Sequence, residues 1–184
     1  MKPGVLIAVI LILTAACPAT GSELEHSFLD IPWGSAPDAT RMEKAYTQAS
    51  IDYYVISDRV FQVGENQLTD ILFAYYQNRF FAVHLKIDAP SVFQQIKTYM
   101  NDRYGFPETT YTVRREQTIH RWEHGAITMK LKAYELGDAM KLSFYYAPVS
   151  KEVNSALGQQ EDASVRFFPI ERGKRPEALP LLRF

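Results

Sequence analysis

Two histidines and a glutamate fall close together in His120-Arg121-Trp122-Glu123-His124. This is an H-x-x-E-H pattern. On a helix, such histidines can hold zinc from one face while the glutamate activates a water for hydrolysis. The flanks predict a strand instead. Thr118 and Ile119 precede the motif, Gly125 follows it, and an alternating segment comes next. In a strand, His120 and His124 share a face but lie about 13 Å apart, given a rise of roughly 3.3 Å per residue. They then cannot share one metal, and Trp122 is expected in the core.

The motif resembles that of the inverted zincins. The resemblance implies a third ligand, a glutamate on a second helix far downstream, and the sequence reading finds no helix there. A zinc-dependent hydrolase is therefore kept only as a remote alternative. His84 is expected on the polar face of a strand and His26 in a tether, each at or near the surface. No pair of carboxylates stands out for glycosidic chemistry, and no G-x-S-x-G, Walker or G-x-G-x-x-G sequence occurs. The reading is non-enzymatic, with no cofactor and no bound metal.

Binding chemistry is better represented. Arg114, Arg115, Arg121, Lys130, Lys132 and Lys141 concentrate in the second half of the chain. Alternation sets Lys130, Lys132 and Lys141 on the polar side of strands, beside Tyr145. These four residues are the candidate binding face, suited to an acidic partner or anionic headgroups; the alternative is a solvated sheet face. Tyr53-Tyr54, Tyr75-Tyr76 and Tyr145-Tyr146 each send one ring to either side of a strand. If the outer rings cluster, they form an amphipathic patch suited to recognition.

The elements that must position these residues follow from period and punctuation. Ser35-Ala36-Pro37-Asp38 reads as a helix start, and Met42, Ala45, Tyr46 and Ala49 follow at helical spacing, predicting a helix over 36–48. Short β-prone runs occupy 52–87, with Gln77-Asn78-Arg79 as a hairpin loop. In Phe80 to Ile87, one face takes Phe81, Val83, Leu85 and Ile87, and the other takes Phe80, Ala82, His84 and Lys86. A second helix begins at Asp88-Ala89-Pro90-Ser91, buries Val92, Phe93, Ile96, Tyr99 and Met100, and stops at Gly105. Strands return over 110–146. The order predicts an α+β fold of two α-β-β-β units, with an antiparallel sheet covered on one face by two helices. From Val149 the alternation fails, so 149–184 reads as a flexible, disordered tail.

The N-terminus reads as an address. Lys2 precedes nine apolar residues, Val5 to Leu13, and the small residues Thr14, Ala15 and Ala16 follow. The run is shorter than the roughly 20 residues of a membrane span and suits a secretory signal. Cys17 is the single cysteine. Leu13-Thr14-Ala15-Ala16-Cys17 resembles the bacterial lipobox, which implies acylation of Cys17 and a membrane tether. Ordinary cleavage and a soluble periplasmic protein form the alternative. The organisation expected is signal and lipobox-like region 1–21, tether 22–27, domain 28–148, tail 149–184.

Twenty Lys+Arg against 21 Asp+Glu, with 47% hydrophobic residues, describes a domain with a core. The near-neutral balance speaks against a nucleic-acid binder. The Ile-Pro-Trp-Gly-Ser opening at 31–35, the aromatic hairpin, the helix ending in Tyr104-Gly105-Phe106-Pro107 and the Trp122 strand set together resemble small bacterial envelope lipoproteins of unassigned function. In architecture they are similar to the helix-plus-antiparallel-sheet modules of outer-membrane assembly lipoproteins and of tandem-repeat protease or lactamase inhibitors. The resemblance spans about residues 28–147. Its motifs are turns and caps, so no functional residue is carried over. It implies an exported protein that binds another envelope protein, with the membrane reached through a lipid on Cys17; the alternative is a soluble periplasmic binder or inhibitor.

Overall fold

The segments with the strongest two-residue alternation are the ones that pair most extensively. In the computed structural model, which describes residues 23–56, 60–68, 70–113, 116–134 and 140–158 and the backbone of 178–180, they build one eight-stranded sheet. In chain order the elements are α1 (Glu23–His26), β1 (Ser27–Phe28), β2 (Ile31–Pro32), β3 (Glu43–Gln48), β4 (Ile51–Val55), β5 (Val60–Val63), β6 (Asn66–Leu68), β7 (Ile71–Tyr76) and β8 (Arg79–Ile87). Then come α2 (Pro90–Tyr104), β9 (Glu108–Thr112), β10 (Gln117–His124), β11 (Ile127–Tyr134), β12 (Met140–Tyr146), α3 (Ala147–Leu157) and β13 (Ala178–Pro180).

The large sheet runs β3-β4-β7-β8-β12-β11-β10-β9, antiparallel throughout. It is two runs of four strands, joined by α2 and sealed where β8 meets β12. Small hairpins are made by β1 with β2 and by β5 with β6, and β13 lies parallel to β5.

Register explains the core. Leu85, Leu142 and Leu131 stand opposite one another across three strands, and Val83, Phe144, Met129 and Trp122 form the next row. α2 lays Val92, Phe93, Ile96 and Met100 onto this face. Burying Ile96 and Met100 completely contributes about 1.5–3 kcal/mol each. Pro90 at the first helical turn presets the backbone, and Gly105 ends the helix at φ 81, its N–H bonded to Asn101 O at 2.9 Å. Trp33 closes the same core. Its ring stacks on Phe80 at 4.5 Å and its indole N–H donates to Leu24 O at 2.8 Å.

The helix expected over 36–48 is not formed. Asp38 instead holds a turn, accepting from the Thr40 N–H at 2.9 Å and the Thr40 hydroxyl at 2.7 Å. Such local bonds compete with helix propagation. The chain then enters β3. The apolar residues that suggested one stripe go to different places: Met42 receives the Tyr75 hydroxyl in the α2-side core, whereas Tyr46 stacks on Tyr53 on the opposite side.

The second departure is at the other end. Ala147–Leu157, expected as tail from Val149 onward, form α3, with Pro148 in its first turn and Val149 and Val153 buried. These two pack on Tyr53, Leu72, Ala74, Tyr76, Phe81 and Ala82, on the face opposite α2. The sheet therefore has one helix on each face, not two on one. The element order that recurs is four sheet strands followed by an Ala-Pro helix, at Ala89-Pro90 and Ala147-Pro148, rather than helix first. Residues 23–27, expected as tether, form α1 and the start of β1, and Leu24 packs on the core. The remaining tail, 159–177 and 181–184, lies outside the described residues, as does the signal region.

The third departure is within β8. Tyr75 stands opposite Phe80 and Ala74 opposite Ala82, so Phe81 is an extra residue. The bulge sends Phe80 to the α2-side core and Phe81 to the α3-side cluster, the reverse of simple alternation.

Candidate binding face

Antiparallel register brings the four candidate residues together on the α3 side of the sheet. Lys132 stands directly opposite Lys141, and Lys141 opposite Lys86. The neighbouring row is His84, Ser143, Lys130 and Arg121. Tyr145 sits between Ala82 and Thr128. The Lys130 ammonium lies 5.1 Å from the centroid of the Tyr145 ring, within cation–π range.

Rings cross the sheet in a chain that ends at these lysines. Tyr46 stacks on Tyr53 at 4.5 Å, Tyr53 lies 6.2 Å from His84, and His84 meets Tyr145 edge to face at 5.6 Å. Tyr53 and His84 in this row are buried in the α3-side core, and Tyr46 and Tyr145 are half-buried. β3, β4, β8, β12 and β11 each supply one member, so the stripe exists only when the full sheet is assembled.

Three positions differ from expectation. Lys132 and Lys141 are not spread over a solvated face; they are 5% and 6% exposed. His84, expected at the surface, is 2% exposed and bonds through Nδ1 to Ser143 Oγ at 2.9 Å. A serine and histidine at this distance invite comparison with a nucleophile and its base. Ser143, however, is fully buried in mid-strand. The pair serves as a satisfied polar link in the middle of the sheet.

Carboxylates are found at the two flanks. Lys86 bonds Asp88 at 2.8 Å and lies 3.7 Å from Asp70. The bond to Asp88 holds its ammonium above the ordinary lysine pKa. On the other side Arg121 pairs with Glu123 and with Glu108. Lys130, Lys132 and Lys141 lie between these flanks in the register.

The H-x-x-E-H residues fall on β10, as their flanks indicate. His120 Nδ1 is 2.9 Å from Thr109 Oγ1, and His124 Nε2 is 3.4 Å from Glu25. Trp122 is buried and donates to Gly105 O at 2.9 Å. A helix does follow the motif, contrary to expectation, and α3 carries Glu152. Both oxygens of that carboxylate are taken by Arg79. Among the described residues no three His, Cys, Asp or Glu side chains are grouped to hold a metal.

Sequence reasoning missed Ser143, Lys86 and Arg121 as members of the face. Alternation already put His84 and Lys86 on one side of β8. What it lacked was the β8–β12 pairing, which joins residues far apart in the chain. Cys17 lies outside the described residues, and among those described no helix is long and apolar enough to cross a membrane. No protein-family model, curated protein or solved structure matches the chain.

Proposed function

We propose that this protein is a non-enzymatic lipoprotein of the cell envelope. It binds an acidic segment of another envelope protein across the α3-side face of its sheet. The observation that supports the reading is the half-buried pair of Lys130 and Tyr145, 5.1 Å apart, at the end of a row of rings whose inner members, Tyr53 and His84, are buried and hold Tyr145 in place. The accessible part of the Tyr145 ring supplies apolar contact, and the Lys130 ammonium beside it favours a negative group. In this reading the lipid on Cys17 holds the domain at a membrane while 18–22 links the two.

The test is a photo-crosslinking residue at position 130, used in cells with membrane fractionation. The expected result is one envelope-protein adduct in the membrane fraction, lost on Tyr145→Ala. Cys17→Ala should move the protein to the soluble fraction. An adduct indifferent to Tyr145→Ala, or no adduct, would remove the binding face. Adduct formation by a protein that is soluble with Cys17 intact would favour the periplasmic binder or inhibitor.

A further inference from the structure

Phe106 is the most exposed large apolar side chain among the described residues, at 94%. Its backbone is held from two sides. The Gly105 N–H donates to Asn101 O at 2.9 Å, and Gly105 O accepts from the Trp122 indole N–H at 2.9 Å. A single exposed ring is ordinary on a protein surface. What distinguishes Phe106 is where the chain enters the domain.

That entry is α1, and α1 sits on the β10–β11 turn. Glu25 lies 3.4 Å from His124 Nε2, and a Cβ on Gly125 would meet Glu25 Oε1 at 2.5 Å. The His124 ring is 5.3 Å from that of Tyr104, two residues before Phe106. α1, the β10–β11 turn and the end of α2 thus form one corner, and Phe106 protrudes beside it. Chain length limits how far this corner can stand from a lipid on Cys17. Cys17 precedes Glu23 by six residues, which reach at most about 20 Å when fully extended. Val113, 77% exposed, follows the other end of β9. There Thr112 pairs with Gln117, at the far end of β10 from His124, a separation of about 23 Å at the rise of a strand.

We propose that this corner faces the bilayer and that the Phe106 ring inserts at the boundary between headgroups and acyl chains. This orientation rests on the lipoprotein reading above and adds to it the surface that meets the lipid. The cations nearby are already engaged. Arg121 pairs with Glu108 and Glu123, His124 with Glu25, and Arg103 lies 6.0 Å from the centroid of the Tyr104 ring. The contact is therefore apolar, and zwitterionic lipid is sufficient for it.

The experiment compares Phe106→Trp and Val113→Trp with the wild type, whose Trp33 and Trp122 are buried and supply the baseline emission. Each full chain is purified in its acylated form from membranes and reconstituted into phosphatidylcholine vesicles, with or without bromine on the acyl chains. Bromine should quench the emission added at position 106 at least about twofold, as burial roughly 5–10 Å into the interface requires. It should leave the emission added at 113 nearly unchanged. The quenching should persist in about 1 M salt, where the screening length is roughly 3 Å. Vesicle-bound protein with no quenching at 106 overturns the proposal and leaves the lipoprotein reading standing. So does equal quenching at 106 and 113. A blue-shifted emission at 106 that bromine does not touch also overturns it, and shows a protein surface covering Phe106 instead. A wild type that carries no acyl group on Cys17 in its own envelope removes the lipoprotein reading, and the orientation falls with it.

Discussion

His120 is held in the folded protein by surroundings that disfavour its charge. Burial lowers its pKa below the ordinary histidine value, and Lys97 adds to the effect. The rings of Phe93 and Trp122 lie 6.3 and 6.2 Å away. The unfolded chain therefore binds a proton here more readily than the folded one. Stability from this group is present above about pH 6.5 and is lost as pH falls through that value toward the lower folded pKa. Urea melts should show the wild type losing more stability than His120→Gln between about pH 7 and 5. Equal losses would mean that His120 does not contribute. At this scale the sequence was informative about faces and uninformative about partners. Lys130, Lys132, Lys141 and Tyr145 could be placed on one side by counting along strands. The Ser143 link to His84 could not, because it depends on which strand lies next to which.

Elements were legible where one period was sustained and misleading where two patterns overlapped. α2 shows its stripe, its proline and its glycine in plain order. Residues 36–48 show a helical stripe as well, yet Asp38 turns the chain and β3 pairs with β4. Lys44 fixes that pairing through Asp52 at 2.6 Å, as does Thr47. α3 was overlooked because Val149, Val153 and Leu157 form a single narrow line among polar residues. Its start, Ala147-Pro148, and its stop, Gly158, were visible. The β7–β8 turn is the clearest case of local chemistry fixing register. Gln77 and Asn78 take φ of 50° and 60°, the left-handed pair that tight hairpins favour. Asn tolerates this region and a β-branched residue does not. Asn78→Val should cost about 1–2 kcal/mol in thermal or urea unfolding, while Asn78→Gly should be neutral or stabilising. A silent Asn78→Val would show that the turn does not set the β7–β8 register.

At the scale of the whole molecule, the α+β class and antiparallel pairing were readable, because alternation survives in nearly every strand. The strand order was not, since β8 and β12 join only through the fold. Stability should be graded from that seam outward. Hydrogen exchange should find the slowest amides in β8 and β12, at the centre of the sheet, and the fastest among the sheet strands in the edge strands β3 and β9. Uniform protection would contradict a seam-centred sheet. The seam also has a consequence for synthesis. β8 ends at Ile87, and its partner begins only at Met140. A chain emerging from its N-terminus completes the first four sheet strands long before β12 exists. During that interval β8 presents Phe80 to Ile87 as an unpaired, strongly apolar border, the kind of surface that recruits stray strands. The nascent protein is most exposed to aggregation in the stretch of translation between those two residues, and truncations ending before Met140 leave it in that state permanently.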